Sequence, residues 1–264
     1  MKNLKYTAEE FLTNRLVIID YPHITPLITQ LFNGFKVLLN KPPNMLQLWQ
    51  IHYPEFSRLP DHGVIFPKGG EYDPKWMFMY RTGLLADYFR LQRLTEIDYM
   101  EYHMWFNVLH QAHRMLLNVV LELTEELDSQ FRGSHLFEQV NAPAVEDFHP
   151  LRLLQYLHGP ASDRGVPLAK GHVDIGFITV QAYASHAGLD FIPNYSQYTP
   201  EALWKRIPYI PKNGKIALFP GKKFEKATNG QIPAMYHEVG TQCKTNREAL
   251  ILFSHTAVPS EESR

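Results

Sequence analysis

The chain has 264 residues, enough for one large domain or two small ones, and its 26 Lys and Arg against 27 Asp and Glu leave a formal net charge of −1. That balance gives no electrostatic ground for nucleic acid or an anionic membrane as partner, and 45% hydrophobic residues exclude a disordered composition. A lone cysteine, Cys243, excludes an internal disulfide framework and a Cys-rich zinc site.

No apolar run approaches the roughly 18–20 residues a membrane helix needs, and Met1-Lys2-Asn3-Leu4-Lys5 lacks the apolar core of a signal peptide. A cytoplasmic protein is the expectation. Thr7-Ala8-Glu9-Glu10 fits a capping box at the start of a first helix. Leu16 to Asp20 is a β-branched run, read as a strand. Thr25-Pro26 opens a helix through Leu27, Leu31 and Phe32 that Asn33-Gly34 would close, with Phe35 to Leu39 following as a strand. Residues 41–94 are rich in Pro, Gly and aromatics and show no clear period.

From Thr95 to about Phe131 the helical pattern is the plainest in the chain. Ile97, Met100, Met104, Val108, Ala112, Met115, Val119 and Leu123 recur three and four apart, predicting one apolar stripe on a long core helix, with Thr95 and Asp98 as its capping pair. After Phe148-His149-Pro150 the texture changes to short apolar runs between Gly, Pro and Asn turns: Leu151–Leu157, Asp174–Ala182, Leu189–Ile192, Lys215–Phe219 and Ala249–Ser254. Such spacing predicts an antiparallel sandwich or barrel. The expectation is a single domain, 1–264, in which a mainly helical part (1–148) packs on a β-rich core (149–258).

Thirteen histidines are about twice an ordinary share. His103, His110 and His113 lie on the predicted long helix. No Glu stands three residues before any of them, as a helix-borne di-iron site requires, so they read as polar-face or interface residues. The second half is more informative. His172-Val173-Asp174 opens the run Ile175–Val180, and in a strand residues i and i+2 share a face. An imidazole and a carboxylate are then aimed at one spot. A third ligand from a distant strand would complete the two-histidine, one-carboxylate set that holds non-haem Fe(II) and leaves other positions open. His237, 63 residues after Asp174, is the natural candidate. Arg247, ten residues further on, offers a fixed fork to a carboxylate.

With these residues in hand, the stretch from about Leu151 to His255 resembles the catalytic core of the Fe(II)/2-oxoglutarate-dependent dioxygenases, in the branch that includes isopenicillin N synthase. Leu151-Arg152-Leu153-Leu154-Gln155-Tyr156 is similar to that branch's Arg-x-Asn-Tyr-Tyr strand, and Gly171 to Thr179 to its His-Thr-Asp segment. Tyr236-His237-Glu238-Val239 resembles the distal histidine, and Asn246-Arg247-Glu248-Ala249 the Arg-x-Ser strand. The resemblance implies an α+β fold, a double-stranded β-helix (jelly-roll) core with N-terminal and flanking helices. It implies Fe(II) on His172, Asp174 and His237, 2-oxoglutarate as cosubstrate with its far carboxylate at Arg247 and Tyr156 nearby, and O2. The implied reaction is oxidative decarboxylation of 2-oxoglutarate coupled to hydroxylation or desaturation of a small organic substrate; a carboxylate at 174 argues against halogenation. Two positions depart from the pattern, Leu154 for Asn and Ala249 for Ser. They keep open an oxidase that works without 2-oxoglutarate, and a non-catalytic jelly-roll binding protein is a third reading.

Trp49, Tyr53, Trp76, Tyr80, Thr228 and Asn229 are candidates to line the substrate pocket, although aromatics serve more often as core. Lys170 reads as a solvated loop lysine, and His158 and His255 fall close to the candidate site in sequence. Neither nucleic acid nor membrane is expected as a partner.

Overall fold

The computed structural model describes residues 4–52, 62–67, 74–131, 135–142, 149–159, 165–196, 198–210, 212–240 and 244–256. Tyr53 and Cys243, and the side chain of Ile97, lie outside what it describes. Helix α1 (Leu4–Asn14) leads into strand β1 (Val17–Asp20), followed by α2 (Thr25–Leu39), α3 (Pro43–Leu48), β2 (Gln50–Ile51), β3 (His62–Ile65) and β4 (Lys75–Tyr80). Then come α4 (Leu84–Arg90), α5 (Glu96–Asp128) and α6 (Leu136–Asn141). The second half supplies β5 (Leu151–Tyr156), β6 (Ala169–His172), β7 (Ile178–Ala184), β8 (Leu189–Phe191), β9 (Ile207–Pro208) and β10 (Lys215–Pro220). It ends with α7 (Lys222–Ala227), β11 (His237–Val239) and β12 (Arg247–Phe253).

Among the described residues the strands form two sheets, one of eight strands in the order β1-β10-β7-β12-β5-β4-β3-β2 and one of four in the order β6-β11-β8-β9. Every pairing is antiparallel. The first half of the chain is therefore not only helical: β1 closes one end of the large sheet, and β2, β3 and β4 extend the other. Alternation along the strands gives the large sheet two different faces. Leu151, Leu153, Ile178, Val180, Leu250 and Leu252 pack with α1, α2 and α5 in one apolar cluster. Leu154, Tyr156, Ala184, Ala217, Phe219 and Ala249 face the small sheet, where they meet Ala169, Leu189, Phe191 and Val239 in a second cluster. The functional candidates stand at this second, inter-sheet layer.

Three local expectations are corrected. Helix α1 is already under way at Leu4, so Thr7 is a buried residue within it and forms no capping box. Asn33-Gly34 does not end α2, and Phe35 to Leu39 is its last turn, not a strand. Leu27, Leu31, Phe32, Phe35 and Leu38 continue one buried face at helical spacing. Gly34 is retained inside the helix because a Cβ there would lie 2.3 Å from Trp105 Cδ1, so its bareness lets the indole of α5 press against α2. Helix α5 starts as expected, with Thr95 and Asp98 forming a reciprocal capping box. Val108, Ala112, Val119 and Leu123 of the predicted stripe are buried, joined by Tyr102, Trp105, Phe106, Leu109, Leu116, Val120 and Leu127, while Met100 and Met104 are 73% and 64% exposed. Steps of four overshoot a 3.6-residue turn by about 40° each, so the run Met100, Met104, Val108, Ala112 starts off the core and reaches it only at Val108. His113 is fully buried, with Nε2 2.7 Å from the His149 carbonyl, and is no polar-face residue. His110 reaches the Tyr80 hydroxyl at 3.2 Å.

Candidate metal centre

His172 ends β6 and pairs directly with His237 of β11, which in turn pairs with Phe191 of β8. The two imidazoles are neighbours, with ring centroids 4.5 Å apart. Each has its Nδ1 tied to the backbone two residues earlier, His172 to the Lys170 carbonyl at 2.7 Å and His237 to the Met235 carbonyl at 3.1 Å. A carbonyl only accepts, so each Nδ1 carries the proton and each Nε2 is left with its lone pair. Both Nε2 atoms face one carboxylate: His172 Nε2 is 3.6 Å from Asp174 Oδ1, and His237 Nε2 is 3.8 Å from Asp174 Oδ2.

Strand parity is not what brings Asp174 there. Strand β6 stops at His172, and Asp174 lies in the turn before β7. That turn is pinned by the start of α7, where Lys222 N–H donates to the Asp174 carbonyl (2.8 Å), Lys223 N–H to that of Gly176 (3.1 Å) and Gly221 N–H to that of Phe177 (2.8 Å). A Cβ on Gly221 would fall 2.3 Å from Gly176 O and 2.9 Å from Asp174 O, so the approach requires glycine. On the other side, Thr179 Oγ1 donates to Asp174 Oδ2 at 2.7 Å.

The electrostatics follow from these contacts. Burial by itself would raise the Asp174 pKa, but His237, His172 and the Thr179 hydroxyl outweigh it and hold the carboxyl at about 2. The Asp174 carboxylate favours the protonated imidazolium and so raises the pKa of His172, which is half-exposed, whereas burial lowers that of His237, whose ring sits against Phe219 at 5.0 Å. An ionised carboxylate and two lone-pair nitrogens, all within 4.8 Å of one another, form the only group of three or more His, Cys, Asp or Glu among the described residues that could hold a metal ion. Nitrogen and oxygen donors in this ratio fit a facial iron site, and the backbone-held Nδ1 atoms supply the orienting contacts such ligands need.

Arg247 and Tyr156 are brought together as well. They are directly paired across β12 and β5, and the guanidinium carbon stands 5.6 Å from the Tyr156 ring centroid. Arg247 is buried, and its Nε donates to the His186 carbonyl at 3.2 Å. Leu154 and Ala249 are buried on the same inner face, directly paired with each other, with Met77 of β4 across from Leu154. Tyr209, which sequence reasoning missed, is buried in this layer; burial pushes its hydroxyl up to about 12, against the pull of Arg247. Thr179 was visible in the sequence only as the end of the segment that begins at Gly171, whereas its contact is with Asp174. No sequence signal marks either role, because both depend on long-range pairing.

The pocket candidates of the first half do not reach the site. Trp49 stacks within the helix-side core against Tyr102 and Phe106, Trp76 packs on Phe66, and Tyr80 lies against His113. Thr228 closes α7 through the Phe224 carbonyl, and Asn229 turns the chain with φ of 51°. Lys170 is exposed and sits on β6 rather than in a loop. His255 is pressed toward neutrality, to about 3, by burial and by Lys223.

No family model and no curated protein matches the chain. Solved structures do. Dioxygenase for auxin oxidation 1 from Arabidopsis thaliana, in its 2-oxoglutarate complex, superposes with a TM-score of 0.72 at 14% identity, covering 100% of this chain and 97% of that one. A Shewanella oneidensis protein named as an oxygenase gives 0.71 at 19% identity over 96% and 86%. Full-length Neurospora crassa T7H, bound to alpha-KG and 5-formyluracil, gives 0.69 at 15% over 96% and 78%. The chain has the fold of the 2-oxoglutarate/Fe(II) oxygenases.

Proposed function

We propose that the protein is a non-haem Fe(II) oxygenase that couples decarboxylation of 2-oxoglutarate to hydroxylation or desaturation of a small organic substrate. One observation carries this: the His172, Asp174 and His237 donors converge within 4.8 Å, and both imidazoles have their Nδ1 atoms committed to backbone carbonyls. The fold likeness supports the same reading, as does packing of both sheets around one inner layer, which fits a jelly-roll core over 149–258.

Bound Fe(II) would supply oxygen activation at the open positions opposite the three ligands. The chain's own contribution is ligation, orientation and exclusion of water. His172, Asp174 and His237 would hold the ion. Arg247, buried behind Tyr156, offers a charge-assisted fork to the far carboxylate of 2-oxoglutarate. Tyr209 places a buried phenol in the field of Arg247, and Ala249 stands where the resembled family has a serine. Phe191 and Phe219 flank His237 and keep that side dry.

A second reading has its own observation. Leu154 and Ala249 make the inner face beside Arg247 apolar, which favours an oxidase that holds its substrate's carboxylate at Arg247 without 2-oxoglutarate. Anaerobic titration separates the two. With Fe(II) bound, 2-oxoglutarate should give the weak visible charge-transfer band of a chelate, and turnover should yield succinate. Iron binding without that band would transfer support to the oxidase. Asp174→Ala should lose most Fe(II) affinity with the fold intact, and survival of iron binding there with its loss in His110→Ala would overturn the ligand assignment.

A further inference from the structure

Lys75 opens β4, and alternation divides that strand cleanly. Trp76, Phe78 and Tyr80 pack on the helix-side cluster, while Met77 packs on the layer between the sheets. Lys75 is in phase with Met77 and so belongs to the same inner face. The ladders then set it in one row with two residues already described, since Lys75 pairs with Tyr156, and Tyr156 with Arg247. The side chains keep that row. Lys75 Nζ stands 5.3 Å from the Tyr156 ring centroid, and Arg247 Cζ stands 5.6 Å from the same centroid. One ring thus carries two cations, Arg247 buried and Lys75 part-exposed toward the solvent.

We propose that Lys75 is a substrate-binding residue and that the substrate is a small organic acid whose carboxylate meets its ammonium. This rests on the reading of the site as an Fe(II)/2-oxoglutarate oxygenase, in which Arg247 is taken by the cosubstrate. A lysine is a compact point charge with rotatable donors, and an anion beside it forms a charge-assisted hydrogen bond. Tyr156 separates the two cations, so that two different carboxylates can each have their own.

The test uses protein loaded anaerobically with Fe(II) and 2-oxoglutarate. A panel of paired ligands (benzoate and benzamide, phenylacetate and phenylacetamide, hexanoate and hexanamide) is titrated by ligand-detected NMR. At least one acid should bind about tenfold or more tightly than its amide. Lys75→Met should erase that preference and Lys75→Arg should keep it, with 2-oxoglutarate affinity within about twofold of wild type in both. A panel in which no acid outbinds its amide overturns the proposal, as does a preference that survives in Lys75→Met. Loss of 2-oxoglutarate binding in Lys75→Met overturns it too, by giving the lysine to the cosubstrate. Metal and 2-oxoglutarate titrations of the wild type report on the oxygenase reading separately. Their failure with the acid preference intact removes that reading and leaves Lys75 as an anion contact.

Discussion

Replacing Thr179 with valine tests whether the carboxylate of the site is held from outside the donor set. Thr179 is the second residue of β7; Ile178 and Val180 on either side of it point into the helix-side core, and its own hydroxyl donates to Asp174 Oδ2 at 2.7 Å. Valine keeps the shape and the β-branched backbone preference, so the sheet should form as before. What is lost is one hydrogen bond to a buried charge, about 1.5–3 kcal/mol, and the carboxylate gains freedom to turn away from the two imidazoles. Loss of such an orienting partner weakens a metal site by about 10–100-fold. Fe(II) affinity, measured by anaerobic titration, should fall by that factor in Thr179→Val and return in Thr179→Ser, with the metal-free valine variant also melting several degrees lower, at about 2–4 °C per kcal/mol, and the serine variant recovering. Affinity within about twofold of wild type in the valine variant would refute the reasoning. Equal losses in both variants would refute it as well, since the methyl and not the hydroxyl would then be responsible.

Two further outcomes follow from the same neighbourhood and from the histidines behind it. Gly221→Ala must push a Cβ into the Gly176 and Asp174 carbonyls, which are backbone and cannot swing aside; overpacking of this kind costs about 1–3 kcal/mol, and both metal affinity and thermal stability should drop. Retained metal affinity would show that the start of α7 does not position Asp174. His113 and His149 are held by burial at pKa values of about 4, against about 6.5 in an unfolded chain. Between those values the unfolded state binds more protons, so stability falls as pH falls, by roughly 2 kcal/mol per histidine at pH 5. Denaturant unfolding from pH 7.5 to 5 should show that loss, and His113→Gln, which can still donate to the His149 carbonyl, should remove its own share; an unchanged pH slope in that variant would count against the burial.

What the sequence made legible was set by how local the determining contact is. The Thr95–Asp98 cap lies within one turn and was readable. The β-rich texture after Pro150 was readable because each strand announces itself by its own turns. The last turn of α2 was not, since Asn33-Gly34 looks like a helix end to any local rule and is overridden by Trp105, 71 residues away, packing on Gly34. The exposed Met100 and Met104 fail for a related reason: over several turns a small error in period becomes a different face.

The site divides along the same line. His172, Asp174, His237 and Arg247 were found by residue type and spacing; the first three converge within 4.8 Å, and Arg247 stands beside Tyr156. Yet the strand-parity reason offered for His172 and Asp174 does not describe how they meet, because β6 ends between them. Had the strand continued, Asp174 would have stayed in the ladder, with its backbone groups paired to a neighbouring strand. Leaving the ladder frees its backbone to be taken up by α7, as the Lys222 N–H does at the Asp174 carbonyl, and turns the carboxylate between the two Nε2 atoms. The spacing of one residue survives in either geometry. The stiffness of the site does not come from that spacing but from the contacts of Gly221, Thr179, Lys170 O and Met235 O, which no motif records. The same holds for Lys75, which joins the row only because two ladders align it with Tyr156 and Arg247. The chemistry of the donor set is therefore written in the motif, and its orientation and charge are written in the pairing of distant strands.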